Sequence, residues 1–150
     1  MRRTDRALTD EQAVEILRAG EYGVLSTVSA DGQPYGVPVS YAFADRRLYF
    51  HCALEGHKLD NLAHDPRVSF CVVGTTEVLP DRFATRYESA IAFGRAAELS
   101  GAAKHAALVE LLRKYSSDFV EKGERYIESD FDRTRVYEIE IDALSGKARR

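Results

Sequence analysis

Apolar and polar residues alternate along the first half of the chain, as they do in strands with one buried face. We expect strands at 22–29 and 34–43, joined by a hairpin turn at Asp31 and Gly32. A third strand is expected at 48–53. The three strands together predict an antiparallel meander, which is a common beginning of a barrel or sheet.

Helical spacing of apolar residues flanks this meander on both sides. Before it, Thr9 and Gln12 have the spacing of a capping box, which predicts a helix that begins near Thr9 and ends at Gly20. After it, a short helix is expected to begin at about Gly56, with Leu59 and Leu62 on its inner side.

The second half of the chain continues with a similar mixture of elements. The pattern predicts a strand at 67–74, a loop at 75–85, a strand at 86–99, a helix at 101–115, helical turns within 116–133 and a closing strand at 135–142. With about six mainly antiparallel strands and flanking helices, the expected class is α+β, in one barrel-like domain over residues 1–150.

Composition narrows the classes of function. Apolar residues make up 45% and charged residues 30% of the 150 residues, and the net charge is −3. This charge gives no general attraction to nucleic acid or to an anionic membrane, so a bound anion needs a local site. Cys52 and Cys71 lie in apolar runs without metal-ligand spacing, and we interpret both as free thiols in the core.

Targeting signals are also missing from the pattern. The first twelve residues are charged with no apolar stretch behind them, which is unlike a signal peptide. No apolar run reaches the ~18 residues that a membrane-spanning helix needs. We therefore expect a cytoplasmic protein with no membrane partner.

The second expected strand has one face with little side-chain bulk. Gly36, Pro38 and Ser40 alternate with larger residues, and proline cannot donate to a sheet ladder. A flat ring could lie against such a face. The alternative is an ordinary edge strand with a proline near a turn.

A second candidate feature is the sequence Gly56-His57-Lys58 at the expected start of the short helix. Free backbone N–H groups at a helix start favour anions, and Lys58 adds a cation there. Asn61 falls on the same helix side and could add a hydrogen bond. The alternative is a lysine that only faces solvent. His51 points away from Phe50 and Cys52, either towards a ligand or towards solvent.

Several segments together resemble one known family. These segments are 22–43, 48–62, 65–73, 86–99 and 136–148, and they include the sequence YFHCALEGHK and the Tyr87, Ser89 and Phe93-Gly94 element. The chain resembles the pyridoxamine 5′-phosphate oxidase-related flavoproteins, and within them the nitroimidazole-resistance type. Ala90 stands where that type usually has valine, and the chain lacks the family oxidase's C-terminal segment with its substrate-phosphate arginines.

The resemblance implies an FMN-binding split β-barrel that forms a homodimer, with two cofactor clefts between the subunits. By similarity, the flavin is expected to contact a set of residues on the strands and at the helix start, and two further residues from the other subunit. The first set is Ser26, Thr27, Pro38, Val39, Ser40, His51, Ala53, Gly56, His57, Lys58 and Asn61; the second is Tyr87 and Ser89.

The functional expectation is an FMN-dependent oxidoreductase, similar to a nitroreductase, that uses a nicotinamide cofactor to reduce a small molecule. Tyr41, His51 and Tyr87 are candidates for its substrate side, and no catalytic residue is assigned. The alternatives are a flavin-binding or sensing module without turnover, and a split barrel that holds haem or a deazaflavin. Oxidation of pyridoxamine phosphate is the weakest alternative, because its substrate arginines are missing.

Overall fold

One antiparallel sheet of seven strands organises the computed structural model, which describes residues 2–150. The strands are β1 (Gly23–Val28), β2 (Pro34–Val39), β3 (Ala42–Ala44), β4 (Arg47–Cys52), β5 (Arg67–Leu79), β6 (Ala84–Leu99) and β7 (Arg135–Arg149). Their order across the sheet is β2-β1-β5-β6-β7-β4-β3. The sheet is not closed, so β2 and β3 are its two edge strands.

Four α-helices flank this sheet in the described part of the chain. They are α1 (Asp10–Ala19), α2 (His57–His64), α3 (Gly101–Tyr115) and α4 (Val120–Asp130). The capping box is confirmed, since Thr9 and Gln12 exchange both of its hydrogen bonds at the start of α1. The predicted α+β class is therefore confirmed, with seven strands rather than six.

The core lies between the inner face of the sheet and α1, with α2 at one side. Its largest fully buried side chains include Leu17 from α1 and Leu25, Phe50 and Phe70 from the strands. Along β4 the side chains alternate as expected: Phe50 and Cys52 are buried, whereas His51 lies on the opposite face. This alternation determines which residues of β4 are available to a ligand.

Three boundaries differ from the sequence prediction. The expected single strand at 34–43 is divided into β2 and β3, which lie at opposite edges of the sheet. The expected loop at 75–85 is wrong, because most of it pairs in the long hairpin of β5 and β6. The closing strand extends to Arg149 and pairs with β6 along its whole length.

The second and third of these differences have the same physical cause. The hairpin beyond Val73 contains a β-bulge before Thr76 and turns at residues 80–83, with Phe83 in the left-handed region at φ 48°. Its side chains are mostly exposed, so the hydrophobic alternation that signals a strand is missing there. Pairing with a distant strand, rather than a local pattern, makes these segments extended.

The structure also bears on the cysteines, on metal binding and on membrane-spanning helices. Cys52 is buried, Cys71 is half-buried, and both are free. Among residues 2–150 no group of three or more histidine, cysteine or acidic side chains is placed to hold a metal ion. No helix in the same range is long and apolar enough to cross a membrane.

Candidate cofactor-binding site

The pairing of β1 with β2 builds a flat surface at one edge of the sheet. Ser26 lies opposite Gly36 and Val24 lies opposite Pro38, so these residues share one face. A Cβ atom built on Gly36 would lie 3.7 Å from Ser26 Oγ, which is ordinary contact. The low-bulk face that the sequence predicts is therefore present, and Pro38 lies on an edge strand, where proline is tolerated.

Thr27 and Val39 point to the other face of the same strands. Val39 packs against the core, and Thr27 is buried with 5% of its surface exposed. The Nδ2 atom of Asn61 donates a hydrogen bond of 3.0 Å to Thr27 Oγ1, and Asn61 is itself only 2% exposed. The observed role of this pair is to fasten α2 to β1, and contact of Thr27, Val39 or Asn61 with a cofactor stays a prediction.

The start of α2 has the features of an anion site. Gly56 has a φ of 149°, a conformation that favours glycine, and a Cβ atom built there would meet nothing within 4 Å. The first helical hydrogen bond is donated by Leu59 N to Gly56 O, so the N–H groups of His57 and Lys58 precede it. Lys58 is half-buried and forms no ion pair among the described residues.

The orientation of this helix start is fixed by an aromatic contact. The His57 ring lies 4.2 Å from the Tyr35 ring, between centroids, which packs the first turn of α2 against β2. Ala53 is exposed just after β4, in the segment that leads to Gly56. Tyr35 pairs with Thr27, and both project from the face that α2 covers, whereas Gly36 and Pro38 project from the opposite face of the β1–β2 pair.

His51 lies between this helix start and a large cavity. The cavity has a volume of about 740 Å³, and Ser40 and His51 line it on the sheet side. Protein atoms around the imidazole lower the pKa of His51, and the nearby Lys58 cation lowers it further. His51 is therefore neutral at pH 7 and can donate or accept a hydrogen bond.

Helices α3 and α4 form the opposite wall of the cavity. That wall is mostly apolar, with a few polar groups; it contains Leu108, Leu111, Leu112, Tyr115, Ser116, Phe119, Lys122, Gly123, Tyr126, Ile127 and Asp130, with Thr134 beside it. Cavities of this size and lining suit a flat organic ligand that is held by a few polar contacts.

The sequence prediction did not include this helical wall. Phe119, one residue of this wall, is 63% exposed and borders the cavity. Composition gave no signal, because the apolar content of residues 108–127 equals the 45% of the whole chain.

Tyr41 was a candidate for the substrate side, and the structure contradicts this. The side chain is fully buried, and its hydroxyl donates a hydrogen bond of 2.5 Å to Leu17 O. Burial raises the pKa of Tyr41 well above its usual value. The residue lies where the chain crosses the core between β2 and β3, so it anchors the fold instead of contacting a ligand.

Tyr87 and Ser89 lie towards the other end of β6 from the residues that neighbour His51. His51 pairs with Val136, which pairs in turn with Leu99 of β6. Twelve residues separate Leu99 from Tyr87 along this strand, a contour length of at most about 40 Å at about 3.3 Å per residue. Contact of Tyr87 and Ser89 with a cofactor from another subunit stays a prediction.

Comparison with known proteins identifies the family. A family model described as pyridoxamine 5′-phosphate oxidase matches residues 9–148. The chain belongs to this family. An uncharacterised protein of Rhizobium meliloti is 31% identical over 94 residues, which are 63% of this chain and 57% of that protein. The match thus spans a little over half of the curated relative's length.

Solved structures of several proteins share the fold. A FAD-binding protein from Mesorhizobium loti is 28% identical, with a TM-score of 0.67 over 97% of this chain and 98% of that chain. A candidate 5-nitroimidazole antibiotic resistance protein from Bacteroides thetaiotaomicron is 20% identical, with a TM-score of 0.78 over 95% and 86%. A FAD- and haem-binding protein from Mycobacterium smegmatis is 18% identical, with a TM-score of 0.68 over 95% and 72%.

These similarities confirm the predicted family resemblance and the split-barrel fold. The likeness to the last two structures concerns the fold alone, because their identity to this chain is low. What this chain binds therefore has to be argued from its own residues.

Proposed function

We propose that this protein binds FMN in the region between β2, the start of α2 and the 740 Å³ cavity. The observation that carries the proposal is the half-buried Lys58 with no carboxylate partner among the described residues, next to free N–H groups at a glycine-initiated helix. That arrangement suits a phosphate group. Family membership and the flavin-binding neighbour from Mesorhizobium loti support a flavin as the molecule that carries it.

The residues at the start of α2 suit the phosphate end of such a cofactor: Lys58 and the N–H groups there would hold it. Ser26, Gly36 and Pro38 offer a flat surface on the opposite face of the β1–β2 pair, which a flavin ring would reach past the β2 edge or from another subunit. The mostly apolar wall of the cavity would exclude water around a bound ring, which would strengthen the polar contacts made there. When bound, the flavin supplies the electron-transfer chemistry, and the protein contributes orientation and access.

A homodimer is part of the proposal, with a cofactor cleft at each interface. On the outer face of the sheet, Val73 and Phe93 are 59% and 53% exposed, which is unusual for large apolar side chains on a strand. A second copy that covers this face could bring its Tyr87 and Ser89 to the cofactor. Light scattering is expected to give twice the chain mass, and a monomer that keeps its flavin would overturn the dimer.

The binding proposal is tested first by the absorbance spectrum of protein expressed with ample riboflavin, followed by identification of the released chromophore. Lys58→Ala is expected to weaken FMN binding more than tenfold, because it removes the cation at the helix start. Arg113→Ala is the matched control, since Arg113 is an exposed cation on α3 that pairs with Glu110. Equal FMN affinity in wild type and Lys58→Ala would contradict the proposed phosphate site.

The proposed activity is the reduction of a small molecule, such as a nitroaromatic compound, with electrons from a nicotinamide cofactor. Stopped-flow bleaching of the bound flavin by NADH or NADPH measures the first half of this reaction. Reoxidation by a nitroaromatic compound measures the second half. If the FMN-loaded protein performs neither step, the protein is a flavin-binding or sensing module without turnover.

Haem is a second candidate ligand, favoured by one observation. His51 lines the mostly apolar cavity, and its neutral imidazole would be able to hold a haem iron. The neighbour from Mycobacterium smegmatis that binds both FAD and haem supports testing this. A Soret band that is present in the wild type and lost in His51→Ala would favour haem, whereas a wild-type protein that shows no Soret band after haem is added would exclude it.

A further inference from the structure

Helix α3 turns one of its faces towards the cavity of about 740 Å³. The lining residues of this helix have the spacing of a single helix face; they are Leu108, Leu111, Leu112 and Tyr115. They extend over about 10 Å along the helix, at about 1.5 Å per residue. The apolar wall is therefore longer than a single aromatic ring requires.

Helix α4 completes this wall by packing closely against α3. A Cβ atom built on Gly123 would lie 2.1 Å from Leu112 Cδ1, so the two helices approach closely at this point. Ile127, one turn further along α4, is buried. Phe119 and Tyr126 belong to the same lining face, yet their side chains are 63% and 67% exposed. Packing within one chain thus leaves both rings uncovered.

A third aromatic ring is held in place at the end of the α3 face. The Tyr115 hydroxyl donates a hydrogen bond of 2.5 Å to Glu21 O and accepts one of 2.9 Å from Tyr41 N. Because this hydroxyl is already bonded, Tyr115 offers its ring to the cavity rather than a polar group. Exposed aromatic rings that line one cavity favour an aromatic ligand, since such rings prefer offset-stacked or edge-to-face contacts.

The charged groups of the cavity are exposed to solvent or already paired. Lys122 is exposed, and Asp130 forms an ion pair of 2.9 Å with Arg133. In the described part of the chain, the cavity lining includes no buried cation that could hold an anionic group. Ser40 and the neutral imidazole of His51, at the sheet side, can form hydrogen bonds with an uncharged oxygen atom.

We propose that the wall formed by α3 and α4 binds an uncharged fused-ring aromatic molecule with an oxygen group at one end, such as a naphthoquinone. The inference rests on the proposed function, in which this molecule is the electron acceptor, and it adds Phe119 and Tyr126 as the residues that determine specificity. Both rings would stack against the fused rings, and Ser40 or His51 would bind the oxygen. Reduction of the quinone to a hydroquinone takes a hydride equivalent, which comes from the nicotinamide cofactor by way of the flavin, and a proton, which comes from solvent.

The test compares dimethylnaphthoquinone with duroquinone, which has a single ring, as acceptors for the full chain with its native cofactor content and NADH. Phe119→Ala and Tyr126→Ala are each expected to raise the KM for dimethylnaphthoquinone about fivefold with kcat unchanged, because each removes one stacking contact. The KM for duroquinone should change less than twofold. Tyr126→Phe keeps the ring and should behave like the wild type. Tyr22→Ala is the matched control, since Tyr22 is 61% exposed and does not line the cavity.

A binding measurement separates this inference from the proposed activity. Naphthalene binding, followed by NMR saturation transfer on the same proteins, requires no electron transfer. The wild type should bind naphthalene saturably, and Tyr126→Ala should bind it more weakly. If this holds while no quinone is reduced, the aromatic site is supported and the proposed reductase activity is contradicted. Absence of saturable naphthalene binding, or equal weakening in Tyr22→Ala, would overturn the inference.

Two further results would also overturn it. Anthraquinone sulfonate should bind no more tightly than dimethylnaphthoquinone, and tighter binding that is lost in Lys122→Gln would show that the wall selects an anion. If Phe119→Ala and Tyr126→Ala change the mass measured by light scattering and leave both KM values unchanged, a second copy of the chain covers the wall instead.

Discussion

The hydrogen bond between Asn61 and Thr27 connects the fold to the proposed phosphate site, and its removal gives the most informative prediction. Thr27→Val keeps the shape of the side chain and removes the one acceptor that Asn61 Nδ2 has among residues 2–150. Both residues are almost completely buried, so water cannot replace the lost partner. The amide of Asn61 then remains buried without a hydrogen bond.

The expected cost follows from this burial. A buried polar group that loses its partner costs about 1–3 kcal/mol. For a chain of this length, 1 kcal/mol lowers Tm by about 2–4 °C. We therefore expect a decrease in Tm of roughly 2–12 °C. The double variant Thr27→Val/Asn61→Leu removes both polar partners, and it should be more stable than the sum of the two single changes predicts.

Urea unfolding followed by circular dichroism measures this effect. All measurements use one fixed protein concentration, because the stability of the proposed dimer would depend on it. The midpoint should fall while the m-value stays constant. FMN affinity should also weaken, because α2 carries Lys58 and Asn61 fastens α2 to β1. If Thr27→Val unfolds within about 0.3 kcal/mol of wild type, the bond does not hold α2 in place and our account of the site is refuted.

Two further predictions concern backbone packing and pH. A Cβ atom on Gly94 would lie 2.0 Å from the backbone oxygen of Glu140, at the bulge between β6 and β7. Gly94→Ala should therefore lower the free energy of unfolding in urea by about 3 kcal/mol or more. Gly36→Ala is the control and should leave this free energy nearly unchanged. Burial lowers the pKa of Lys114 to about 8. The unfolded chain then binds more protons between pH 8 and 10.5, so stability should rise across this range. Lys114→Met should reduce this rise in stability. If wild type and Lys114→Met show the same dependence of stability on pH, the lowered pKa of Lys114 is not its cause.

The elements with a strong local pattern were predictable from the sequence. Thr9 and Gln12 form the predicted capping box, and the turn at Asp31 and Gly32 joins β1 to β2 as expected. Gly20 was predicted to end α1, and it does so with an ordinary φ of −62°. A Cβ atom there would lie 2.3 Å from Val72 Cγ1, so close packing rather than a left-handed conformation is the reason for glycine.

Structure that depends on contacts between segments far apart in the sequence was not predictable. Residues 75–79 are polar or exposed and become strand only because they pair with residues 84–87. Asn61 has a polar side chain on an expected ligand face, and only the folded structure brings Thr27 to it. The helical wall of the cavity was missed for the same reason, since no local pattern says which exposed aromatic residues face a common space.

The two open edges of the sheet bear on how the protein behaves at high concentration. An unpaired edge strand can recruit the edge of another molecule and start aggregation. At one edge, β2 carries Pro34 and Pro38, and proline has no N–H group to donate to an incoming strand. At the other edge, β3 is only three residues long. Both edges are thus poor templates for strand addition, which allows the sheet to stay open without leading to fibrils.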